Sequence, residues 1–210
     1  GVLTCALPIF LFAFAPERMK MGDWDNVGLL CGRFTTEVET VLVALDPLPD
    51  VIAEAVELGA QCIVTHHPLF FDPPRAINET TLAGRSVLEL IEHGIAAVNL
   101  HTNLDCAPGG VNDALAAKLE LDNVRVLNPA GEDDAGQPYG LLRIGETEQT
   151  DVRTFAAFVK EKLACPGGAE QMELYNSMLK IWNLAEAFNI KWDGADACMI
   201  ACQNITRYKA

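Results

Sequence analysis

Three short apolar runs, Val41-Leu42-Val43-Ala44-Leu45, Cys62-Ile63-Val64-Thr65 and Ile95 to Leu100, constrain this chain more than any other feature. Each is too short for a helix, rich in β-branched residues, and bounded by turn-forming or polar residues, so each reads as a buried strand. Between them lie segments of helical period. Asp50 to Gly59 carries Val51, Ile52, Ala55 and Val56 on one face, with Asp50 placed to cap it, and Thr80 to Gly94 repeats the pattern with Leu82, Val87, Leu88, Leu90 and Ile91. A third helix is expected from about Val111 to Leu121. Strands alternating with helices predict an α/β fold, a mostly parallel sheet covered on both faces by right-handed crossovers. The carboxyl ends of the three strands then share one edge, where open α/β sheets bind ligands.

That edge collects an unusual set of side chains. The first run ends in Asp46, the second in His66-His67-Pro68, and the third in His101-Thr102-Asn103-Leu104-Asp105. Neutral imidazole is the commonest metal ligand, and a carboxylate supplies the hard oxygen that many zinc, manganese or iron sites include. His66, His67 and Asp105 are therefore candidate metal ligands, and His101 a proton carrier, an outer-sphere partner or a further ligand. Asp46 reads equally well as a loop staple. In Asp23-Trp24-Asp25-Asn26, Asp25 and Asn26 read as residues that hold a turn through bonds to nearby backbone. His93, beside Gly94 at a helix end, complements the helix dipole.

Charge and cysteine usage narrow the function classes. A net charge of −14 with only 15 Lys and Arg argues against binding nucleic acid through phosphate neutralisation. Seven scattered cysteines fit free thiols in a reducing cytoplasm better than a disulfide framework, with Cys198 and Cys202 read as core residues. The apolar Gly1 to Ala15 stretch is expected to form a buried first helix rather than a secretory segment, being too short to span a bilayer.

From Asn128 to Gln137 the composition turns to Pro, Gly, Asp and Glu, which suggests a metal-binding α/β domain over 1–128 and a second, smaller and incomplete α/β domain over 129–210. In the latter, Tyr139 to Ile144 reads as a strand, Asp151 to Leu163 as a helix capped by Asp151, Glu170 to Phe188 as a helix and Gly194 to Ala201 as a strand.

Five blocks, in order, resemble a known family: Asp23-Trp24-Asp25-Asn26-Val27-Gly28-Leu29-Leu30, Val43-Ala44-Leu45-Asp46, Thr65-His66-His67-Pro68-Leu69-Phe70, His101-Thr102-Asn103-Leu104-Asp105 and Pro108-Gly109-Gly110-Val111-Asn112. They are similar to the Nif-three-like dinuclear metal-centre proteins, known as GTP cyclohydrolase 1 type 2 homologues, over about residues 10 to 165. The resemblance implies a toroidal homo-hexamer in the cytoplasm with two divalent ions per subunit, held in part by His66, His67 and Asp105, with His101 close by. It also implies a metal-dependent hydrolase that uses metal-activated water on cyclic amidine C–N bonds of a small molecule, a nucleotide among the candidates, without membrane or direct nucleic-acid partners. The family completes its site with a later His-x-x-x-Glu motif that this sequence does not contain. Weakened or mononuclear binding is the corresponding expectation, with a non-catalytic assembly protein or truncated product as the alternative.

Overall fold

The computed structural model describes residues 11–149 and 151–163. The chain divides into two compact units, Gly1–Ala107 and Pro108–Ala210. The division falls at Pro108-Gly109-Gly110, some twenty residues ahead of the composition change at Asn128 that suggests a boundary between 1–128 and 129–210. Residues 11–14 are helical, as expected, but they are not the buried helix anticipated: Leu11 and Phe12 are half-buried and Ala13 and Phe14 exposed. The remainder of that helix, the Glu170 to Phe188 helix, the Gly194 to Ala201 strand and the Cys198–Cys202 pair lie outside the described residues.

The first unit is built on a four-stranded sheet of β1 (Gly28–Cys31), β2 (Val41–Ala44), β3 (Cys62–Thr65) and β4 (Ala96–Asn99), in the order β1-β4-β3-β2. The three runs pair in parallel as expected, Val43 beside Val64 and Val64 beside Val98. Strand β1 joins antiparallel to β4, with Gly28 opposite Asn99. All four residues of β3 and of β4 are buried, which explains why those runs are continuously apolar rather than alternating. Strand β2 lies at the end of the sheet order, and its Val43 is exposed.

Helices α1 (Pro49–Glu57) and α2 (Leu82–Glu92) join these strands. The core is formed by Ile52 and Ala55 of α1, Val87 and Leu90 of α2, and Ile63, Ile95, Ala97 and Leu69. Helix α1 starts differently from the expectation. Pro49 is at its first position, where a missing N–H costs nothing, and Asp50 falls inside the first turn instead of capping it. Helix α2 is capped by Thr81, whose Oγ1 accepts from Gly84 N at 3.0 Å. A Cβ at Gly84 would stand 2.1 Å from Asn78 O, so the tight entry to α2 requires glycine there. Gly59 and Gly94 follow the two helices with φ of +62° and +68°, the left-handed termination glycine permits. His93 is the last residue before this stop, and its Nδ1 donates to Glu89 O at 3.0 Å. One further turn, α3 (Thr102–Cys106), follows β4 directly.

The second unit contains α4 (Val111–Lys118), β5 (Asp122–Leu127), β6 (Gly131–Glu132), β7 (Pro138–Tyr139), β8 (Leu142–Glu146) and α5 (Val152–Lys162). Strands β5 and β8 pair antiparallel, and β6 and β7 form a short ladder. The expected loop at 128–137 is thus a hairpin, closed by Asp133, whose Oδ1 accepts from Ala135 N at 2.9 Å and Gln137 N at 2.7 Å. Asp151 caps α5 by accepting from Arg153 N and Thr154 N, as the sequence suggests. Among the described residues of this unit, Leu119, Phe155, Ala156 and Val159 form a buried cluster.

Arg143 is only 3 % exposed in this unit and donates to Asp113, with Nη2 3.0 Å from Oδ2, and to Gly140 O at 2.6 Å. Burial opposes ionisation of Asp113, but bonds from Arg143 and Gly109 N outweigh it and hold the carboxyl below its ordinary range. A depressed carboxyl stabilises the fold above the unfolded pKa and loses that contribution as pH falls through the folded value. Asp113→Ala is expected to lower stability at pH 7 by about 3 kcal/mol, because the buried guanidinium loses the Asp113 carboxylate that it bonds. The deficit relative to the parent should shrink below about pH 4. Urea unfolding at both pH values checks this, and a deficit unchanged by acid would count against the ion pair.

Candidate metal centre

The strand registers alone bring the polar residues of this edge into rows. Ala44 is level with Thr65, and Thr65 with Asn99, so continuing two residues past each strand places Asp46, His67 and His101 side by side. The ladder persists into that region, with His67 N donating to Leu45 O and Leu100 N to Thr65 O, both at 2.9 Å. Because β1 runs the opposite way and Gly28 faces Asn99, the residues before Gly28 meet those after Asn99. This brings Asp25 against His101 and Thr102. Helix α3 then turns back at once, its Asp105 N bonding His101 O at 3.2 Å, and returns the Asp105 carboxylate to within 3.7 Å of His66 Nε2.

Three imidazoles result, with ring centroids 5.2 Å apart for His66–His67 and His66–His101, and 6.0 Å for His67–His101. Each has its Nδ1 engaged by an oxygen: His66 by Leu100 O at 3.0 Å, His67 by Asp46 Oδ1 at 2.5 Å, and His101 by Asp25 Oδ1 at 2.8 Å. A carbonyl can only accept, so neutral His66 carries its proton on Nδ1 and has a lone pair on Nε2. The same assignment follows for His67 and His101 beside carboxylates. This is the tautomer in which ligating histidines are held by oxygen partners.

The electrostatics agree. Burial, helped by the neighbouring His101 and His67, pushes the His66 pKa down to about 4, so the ring is neutral at pH 7. The 3.7 Å approach to Asp105 is accordingly not an ion pair. Burial also raises Asp105 to about 6. A neutral imidazole nitrogen and a buried carboxylate oxygen at this distance have the span of two donors each about 2.1 Å from one shared ion. Among the described residues, no group of three or more His, Cys, Asp or Glu side chains is placed to hold a metal ion as it stands. The donor set therefore fits an open arrangement, centred on His66 and Asp105 with His67 adjacent, better than a complete site.

Of the sequence candidates, His66, His67, His101 and Asp105 all come together here, and Asp46 joins them as the partner of His67. Asp25 departs from expectation. Its carboxylate bonds the side chains of His101 and Thr102, 76 and 77 residues away, instead of nearby backbone. Only the antiparallel placement of β1, which the sequence does not announce, would have revealed this. Asn26 likewise reaches outward, donating to Phe70 O at 2.9 Å. Trp24 and Phe71 stand edge-on to His101, with centroids 6.4 and 5.4 Å away, and both are exposed.

The fold and its rim define a class, an α/β unit that gathers histidines and carboxylates at the carboxyl ends of parallel strands. The chain belongs to the DUF34/NIF3 (NGG1p interacting factor 3) family, whose model matches residues 9–180. It is 44% identical over 142 residues to a GTP cyclohydrolase 1 type 2 homolog of Streptomyces coelicolor, covering 67% of this chain and 50% of that protein. A Clostridium acetobutylicum protein of the same name is 39% identical over 136 residues, covering 65% and 50%. The chain thus spans about half the length of these curated relatives. Among solved structures it resembles a Staphylococcus aureus hypothetical protein, with TM-score 0.71 and 31% identity over 80% of this chain and 66% of that one. It also resembles reduced HcgD from Methanocaldococcus jannaschii, with TM-score 0.61 and 32% identity over 77% and 60%. Among the described residues, no helix is long and apolar enough to cross a membrane.

Proposed function

We propose that this chain binds a divalent metal ion through His66, His67 and Asp105 and belongs to a metal-dependent hydrolase of the GTP cyclohydrolase 1 type 2 homologue kind. The supporting observation is that His66, with its proton held on Nδ1 by Leu100 O, presents Nε2 3.7 Å from the buried Asp105 carboxylate. A divalent ion there would supply Lewis acidity and lower the pKa of water. His66 and His67 would hold it as neutral nitrogen donors and Asp105 as the charged oxygen donor. His101, with Asp25 behind its Nδ1, would accept a proton at Nε2 and return it to the departing amine. The edges of Trp24 and Phe71 would shield that ring from bulk water. Self-association into a homo-hexamer, a nucleotide-like substrate and a cytoplasmic setting belong to the same reading.

Elemental analysis of the purified chain after exposure to zinc or manganese, together with formate release from GTP, tests the two halves separately. The expected result is close to one ion per chain and metal-dependent formate release that is lost in His66→Ala. Absence of bound metal would remove the whole reading. Stoichiometric metal without turnover on GTP or related cyclic amidines would replace the hydrolase by a metal-holding or assembly module.

A further inference from the structure

Asp25 is a costly residue for a turn. Its side chain is fully buried, and a carboxylate removed from water must be matched by donors or it neutralises. Both oxygens are matched. Oδ1 lies 2.8 Å from His101 Nδ1, and Oδ2 accepts from Thr102 Oγ1. Thr102 Oγ1 itself accepts from Met21 N at 2.8 Å, so its single proton is free to point at Asp25 and nowhere else is needed. The two donors outweigh the burial and keep the Asp25 carboxyl below its ordinary range. The turn, meanwhile, is fastened without Asp25's charge: Asn26 Nδ2 donates to Phe70 O and Asn99 Nδ2 to Asn26 O, each at 2.9 Å. A neutral residue would close such a turn at lower cost. What the charge adds is an oriented imidazole, further confined by the edges of Trp24 and Phe71.

We propose that Asp25 is a positioning residue whose carboxylate fixes His101 as the Nδ1–H tautomer and sets its ring orientation, so that Nε2 presents its lone pair to the site. The functional weight of this assignment rests on the proton-carrying role of His101 proposed above. Its structural content does not, since the tautomer exists in protein without metal or substrate.

Long-range 1H–15N spectra of the full chain, labelled at histidine and free of metal, read the tautomer directly. In the parent, His101 should show a protonated Nδ1 and a bare Nε2. In Asp25→Ala the Nε2–H form should become the major one, while His66, held by Leu100 O, stays unchanged as an internal reference. Thr102→Val loosens the same network but leaves the Oδ1 contact, and His101 should keep the parental tautomer. Should Asp25→Ala fail to fold, Asp25→Asn carries the test: its amide can offer either oxygen or NH2 to Nδ1, so both tautomers should appear. An Nε2–H tautomer in the parent, a parental tautomer in both Asp25 variants, or an equal change in Thr102→Val would overturn the proposal. Because no metal or substrate is present, the result stands apart from that of the hydrolysis assay.

Discussion

Asp105→Asn is expected to lose stoichiometric binding of zinc or manganese while leaving the fold intact. The amide keeps the shape of the carboxyl, so helix α3 and its bond to His101 O are retained, but the charged oxygen donor 3.7 Å from His66 Nε2 is gone. Loss of an outer partner of a ligand typically costs about 10–100-fold in metal affinity, and loss of the charged ligand itself should exceed that range. The metal-free protein should respond in the opposite sense. Burial raises the folded pKa of Asp105 to about 6, so the acid form is favoured by folding and stability is lost as pH rises through that value. At pH 7 the asparagine variant, which has no charge to bury, should therefore melt higher than the metal-free parent. Calorimetric titration with metal and thermal unfolding without it check both halves. Unchanged affinity would remove Asp105 from the ligand set.

Leu90→Ala should be strongly destabilising to the first unit. Leu90 is fully buried on α2, in the same core as Ile52 of α1 and Ile63 of β3, and the strands on that core carry the histidines on their ends. Truncation removes apolar contact and leaves a cavity where α1, α2 and the sheet meet. A loss of about 2–5 kcal/mol is expected by urea unfolding. A loss below about 1 kcal/mol would mean that the core between sheet and helices collapses far more easily than its packing suggests.

The parallel part of the fold was legible because β3 and β4 are buried on both faces and therefore spell themselves as unbroken apolar runs. Their ends were legible for the same reason: an apolar run that stops at His66-His67 or at His101 marks where the sheet stops. Strand β5 left no such mark, since four of its six residues are exposed and its pattern is neither continuous nor alternating. The division near Pro108 was hidden by a stronger compositional change at Asn128, which proved to be a hairpin stabilised by Asp133. The candidate site was readable to the extent that it depended on parallel register. The role of Asp25 is not legible in the sequence, because local turn chemistry accounts for it sufficiently and its partners depend on a strand direction that short-range pattern does not encode.

The bracketing of β3 by β2 and β4 has a consequence for exchange with solvent deuterium. Backbone amides of a strand paired on both sides are released only when neighbouring strands part, whereas those at a sheet margin are released by smaller, more frequent openings. His66 and His67 follow this bracketed strand directly. The two histidines are thereby carried by a strand held on both sides, so their backbone should stay in place through openings that release the margin of the sheet.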